Sequence, residues 1–114
     1  MEEERRNSQR IELQMPVTFE IVRDVFFGTT TNLSDDGMMI ESSLALPNLR
    51  RILNAILKAT ECPITVNYSI KHRSFSRPAK IKHYHLDFSG GQSACRFSFG
   101  AWIPKMKMRD EKWL

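Results

Sequence analysis

Apolar side chains occupy every odd position from residue 11 to residue 21: Ile11, Leu13, Met15, Val17, Phe19 and Ile21. Their even neighbours are Glu12, Gln14, Pro16, Thr18, Glu20 and Val22. Successive side chains of a strand point to opposite faces, so this period of two predicts a strand with one buried face. Pro16 has no amide hydrogen to give to a ladder, which marks an edge or a bend at the strand's start. A turn is expected before Gly28. The β-favouring Thr29, Thr30 and Thr31 then lead into Asn32-Leu33-Ser34-Asp35-Asp36-Gly37, a cluster of turn formers that predicts a tight loop. Met38 to Ser42 reads as the returning strand.

The period changes at residue 48. Leu49, Ile52, Leu53, Ile56 and Leu57 follow helical spacing with Arg50, Arg51 and Asn54 outside, which predicts an inserted helix over 48–58. Pro47 or Asn48 starts it, and Pro63 lies beyond its end. Period two returns at Ile64, Val66, Tyr68 and Ile70. A basic loop follows, then a strand over 79–86. A turn around Gly90 and Gly91 leads to a last strand through Cys95, Phe97, Phe99, Ala101 and Ile103, closed by Pro104. Residues 105–114 are compatible with a short C-terminal helix. Six or so short strands with turns between them predict a mainly β chain whose antiparallel hairpins close into a small barrel or sandwich.

At 114 residues the chain has room for one domain of 11–114, preceded by a polar segment 1–10 expected to be flexible. No apolar run approaches the roughly 20 residues of a membrane helix. The charged start Met1-Glu2-Glu3-Glu4-Arg5-Arg6 does not resemble a secretory leader. Cys62 and Cys95 are too few for a disulfide framework or a four-cysteine zinc site. They read as small buried thiols of a cytoplasmic protein. The net charge of +4 is unevenly spread: from Thr65 to His85 there are Lys71, Arg73, Arg77, Lys80 and Lys82, three histidines and no acid.

An enzyme is not expected. No nucleophile has an evident base and orienting partner, and no phosphate-cradling glycine loop precedes a helix. His83 and His85 share a strand face but lack a third metal ligand, so they read as solvated or half-buried side chains. Two polar clusters are more informative. Arg6-Asn7-Ser8-Gln9-Arg10, with Arg5 before it, precedes the first strand, and Asn32 to Gly37 follows the second. An antiparallel hairpin returns the end of its second strand to the beginning of its first, so the clusters would line one site. Arginine forks pair with phosphate oxygens and the guanine edge, and the flat guanidinium stacks on a base. Asn and Ser supply further hydrogen bonds, and Gly permits close backbone approach. A guanine nucleotide fits every part.

These two motifs, RxxxR at 6–10 and [D/N]xSxxG at 32–37, resemble the signature of the PilZ domain family. Ser98-Phe99-Gly100-Ala101-Trp102-Ile103 is also similar to the family's last core strand. The resemblance implies a six-stranded antiparallel β-barrel that binds the bacterial second messenger cyclic di-GMP, with no cofactor and no catalysis. It implies that Arg6 and Arg10 hold guanine and phosphate, that Asn32 and Ser34 contact a guanine, and that Gly37 shapes the turn. Arg5, directly before the first motif arginine, implies a stacked pair of ligand molecules. Asn stands at 32 where Asp is commoner in the family. The helix over 48–58 stands where many relatives have a short connection, and core packing is favoured over a dimer face. The expected action is a sensor that orders residues 1–10 over the ligand and signals to an unidentified protein. Two alternatives stand beside it: a PilZ-like adaptor without ligand, and a nucleic-acid-binding barrel that stacks bases on Phe26, Phe27, Tyr84 and Trp102.

Overall fold

The computed structural model describes residues 11–58, 62–89 and 94–104. Six strands, β1 (Pro16–Ile21), β2 (Asp24–Ser34), β3 (Gly37–Ala45), β4 (Pro63–Ile70), β5 (Arg73–Asp87) and β6 (Ala94–Trp102), close in the order β1-β2-β3-β6-β5-β4. Every pairing is antiparallel. One helix, α1 (Leu46–Lys58), lies between β3 and β4. The mainly β barrel with an inserted helix is therefore the observed fold. The expected helix over 105–114 and the segment 1–10 lie outside the described residues.

Alternation fills the barrel. Phe19, Leu33, Ile40, Val66, Phe97 and Phe99 are fully buried. The Phe19 and Phe99 rings meet edge to face, with centroids 4.9 Å apart, a geometry that aromatic quadrupoles favour. Leu49 and Ile52 of α1 join this core, with Leu53 and Ile56 partly buried against it. Core packing of the helix is thus observed, although Leu57, the fifth apolar residue of its pattern, is left in solvent. The helix begins two residues before the expected start, with Pro47 in its first turn, where a missing amide hydrogen costs no helical bond. Cys62 and Cys95 are buried free thiols.

Three strand boundaries differ from the expectation. The run from Ile11 is not one strand: β1 starts at Pro16, and Ile11 makes an isolated bridge to Leu33. Between them the buried Thr30 stands in for a ladder. Its Oγ1 accepts from Met15 N (3.0 Å) and donates to Leu13 O (2.5 Å), while its own N–H donates to Met15 O (2.9 Å). Leu13, odd-numbered like its core neighbours, is consequently exposed. The expected basic loop before residue 79 is also a strand. β4 and β5 are joined by Lys71 and His72 alone, both at positive φ (50° and 69°), as a two-residue hairpin turn demands. Likewise Gly28 lies within β2, and the preceding turn is Val22-Arg23.

Candidate site on the outer face of the barrel

The register builds the site in two rows across four strands. Asn32 (β2) pairs with Met39 (β3), Met39 with Gly100 (β6), and Gly100 with His83 (β5). One step along, Ser34 pairs with Gly37, Gly37 with Trp102, and Trp102 with Lys80. The intervening residues Leu33, Met38, Ala101 and Ile81 are buried in the core, so both rows face outward. Two bulges set this alignment, at Thr31 in β2 and at Lys82 in β5. Each adds one residue on its strand. Asn32 and His83 thereby face outward although they follow the core-facing Thr30 and Ile81 by two.

Each row has a glycine in its middle, and the result is a cavity of about 280 Å³. Asn32, Ser34 and Asp36 line one side, and Lys82, His83 and Trp102 the other. The two glycines are required for different reasons. A Cβ on Gly37 would collide with the backbone carbonyl of Ala101. A Cβ on Gly100 would fall 2.5 Å from His83 Nε2, because the imidazole lies across that position. The turn itself is two residues, Asp35-Asp36, shorter than the expected loop, since Asn32 to Ser34 already belong to β2. Ser34 Oγ donates to Asp36 Oδ1 (2.8 Å), and the Asp36 carbonyl accepts from Ile103 N (2.8 Å), which fixes the turn on the end of β6. The Asn32 amide has no partner among the described residues, so its donor and acceptor are both available to the cavity. The Lys80 and Lys82 ammonium groups lie 5.7 and 5.6 Å from the Trp102 ring, which makes this wall cationic.

Of the six residues singled out in the sequence, Asn32, Ser34 and Gly37 come together at this cavity. Arg5, Arg6 and Arg10 lie outside the described residues. The chain that follows them is nevertheless placed. Ile11 N donates to Leu33 O and Leu33 N to Ile11 O, both at 2.8 Å. Leu33 is the residue between Asn32 and Ser34. Met39, Lys82, His83, Gly100 and Trp102 were not assigned to the site from sequence. They reach it only through cross-strand register, which depends on both bulges. The face shared by His83 and His85 was legible from their spacing, and both are exposed. Among the aromatics considered for base stacking, Phe26 is a correction: it is buried against Phe19 with ring centroids 5.5 Å apart, on the inward side of β2.

Among the described residues no helix is long and apolar enough to cross a membrane. No curated protein sequence matches the chain. Solved structures do resemble it. The PilZ domain of CeSA from a cellulose-synthesizing bacterium superposes with a TM-score of 0.55 at 19% identity, covering 93% of this chain and 90% of that one. The K. pneumonia MrkH–c-di-GMP complex gives 0.60 at 9% identity, covering 95% of this chain and 48% of that one, so this chain spans about half of MrkH. The PilZ domain model matches residues 4–99, a span that includes both polar motifs and five of the six strands in full, and the chain belongs to the PilZ domain family.

Proposed function

We propose that this chain is a non-catalytic receptor for cyclic di-GMP, bound at the cavity between Asn32 and Trp102. The reciprocal Ile11–Leu33 backbone pair carries the reading. Arg10 directly precedes Ile11 in the sequence, and Ile11 is tied to the residue between Asn32 and Ser34. An arginine side chain from that point has the reach to meet a ligand seated on Asn32 and Ser34. The ligand's two phosphates suit guanidinium forks, and its guanines suit the donor and acceptor of Asn32 and the hydroxyl of Ser34. A flat base would approach the sheet beside Trp102, with the His83 side chain turning aside from Gly100. MrkH, which shares the fold, was solved as a complex with this ligand.

In this reading Arg6 and Arg10 close over the ligand, and Arg5 favours a stacked pair of ligand molecules. Residues 1–10 become ordered on binding, which changes the surface offered to a downstream protein. The work is done in the cytoplasm, where the messenger is made. Calorimetric titration with cyclic di-GMP, with GTP and an oligothymidylate as controls, tests the proposal. Saturable binding of cyclic di-GMP, much tighter than of either control, is expected, and tryptic cleavage after Arg5, Arg6 and Arg10 should slow in its presence. No heat with cyclic di-GMP, or affinity that grows with strand length, contradicts it.

A further inference from the structure

The β4–β5 hairpin reaches past its neighbours. β1 pairs with β4 only from Thr18 to Glu20, and β6 meets β5 only from Lys80 onward. Among the described residues, the ladder beyond those points is β4 against β5 alone. Between this hairpin and the start of β1 lies a second cavity, of about 530 Å³. Its lining is uncharged and includes Thr18, Phe27, Asn67, Phe75 and Ser76. Phe27 is 77% exposed there, a large ring that a partner would remove from water. Cations flank it along β5 and the hairpin turn. The Arg73 and Arg77 guanidinium groups lie 5.2 and 5.1 Å from the Phe75 ring, with Lys71 in the turn beyond. No acid occurs from Thr65 to His85. Glu20, on β1, has its carboxylate engaged by Asn67 Nδ2 (2.9 Å).

We propose that this cavity docks an extended segment of a partner protein carrying a bulky apolar side chain next to a run of carboxylates. The apolar group covers Phe27, and the carboxylates meet the positive hairpin end, where Arg73 presents an exposed fork. The charge layout decides against a nucleic acid, whose backbone would need cations on both walls of the groove, whereas β1 and β4 carry none. The surface involves β1, β2, β4 and β5, whereas the cavity at Asn32 involves β2, β3, β5 and β6, so the two can be tested apart.

The test titrates the isotopically labelled full chain with the peptide Phe-Leu-Glu-Asp-Glu-Asp, with the same peptide bearing lysines in place of its acids, and with an oligothymidylate. The acidic peptide should shift the amides of Thr18, Phe27, Asn67 and Ser76, and the basic one should not. Arg73→Glu and Phe27→Ser should each weaken the acidic peptide by about fivefold to thirtyfold, the range of an interface hot spot. Arg73→Lys should restore part of that loss, and cyclic di-GMP titration should be the same in all three variants. Absence of those shifts, or an equal response to the basic peptide, overturns the proposal. So does a stronger response to the oligothymidylate, which would make the face a nucleic-acid surface. Shifts that depend on protein concentration without peptide would make it a self-association face and overturn the proposal as well.

Discussion

Gly37 and Gly100 look alike in the sequence, yet their surroundings predict different losses. The Cβ of Gly37→Ala meets a backbone carbonyl of β6, which cannot turn aside. That substitution should cost about 1–3 kcal/mol of stability in urea unfolding, as overpacking does. The Cβ of Gly100→Ala meets the His83 side chain, which can rotate away. Here stability should change little, while the cavity fills and cyclic di-GMP affinity falls at least about tenfold, or roughly 1.4 kcal/mol. Cys62 offers a prediction in pH. Burial raises its thiol pKa, because the thiolate loses hydration. The folded state therefore holds its proton at pH values where the unfolded chain has released it. The neutral thiol's contribution to stability is full below the unfolded pKa and is lost as pH rises through the folded one. At pH 8, iodoacetamide should label Cys62 more than about a hundredfold slower in the native protein than in urea.

At the scale of elements, the strands and the helix were legible because period two and helical spacing follow directly from burying one face. The core-facing sets of β4 and β6 and four of the five apolar helix positions match the pattern read from the sequence. What stayed hidden depends on single side chains acting across strands. Thr30 Oγ1 ends β1 at Pro16 by satisfying Leu13 and Met15, and no local pattern announces that. The bulges at Thr31 and Lys82 decide which residues meet at the cavity, so Asn32 and Ser34 could be named from a motif but Trp102 and His83 could not. Turns carry strain as well as register. Val22 is β-branched at φ 61° and 84% exposed. Val22→Gly should relieve strain of about 1–2 kcal/mol against a backbone entropy cost of about 0.5–1, so urea unfolding should show a net gain of up to about 1.5 kcal/mol. Along α1 the buried Ile52→Ala should cost about 2–5 kcal/mol, whereas the exposed Leu57→Ala should stay within about 0.5. The Arg51–Asp24 pair at 3.6 Å joins the helix to β2, but both partners are well exposed and it adds little.

The whole molecule is a closed wall, and closure explains how so small a chain presents two separate surfaces. The cavity at Asn32 lies on four mutually paired strands, whereas the second opens where β4 and β5 run past their paired neighbours. The ends of the barrel differ. α1 packs where β3 ends, while the incoming chain at Ile11, the Asp35-Asp36 turn and the β4–β5 hairpin gather at the other end. The net charge of +4 is concentrated there through β5 and its turn, which favours anions of any kind and by itself distinguishes none. Specificity must come from placement, which in the proposed complex means that Arg6 and Arg10 share a ligand with Asn32 and Ser34. The most direct measurement is calorimetric titration of cyclic di-GMP into the parent and into the Arg6→Ala/Arg10→Ala double variant. Each lost bidentate contact is worth about 1–3 kcal/mol, so the double variant should bind at least about thirtyfold more weakly with its fold unchanged. Equal affinity in the two proteins would contradict the claim.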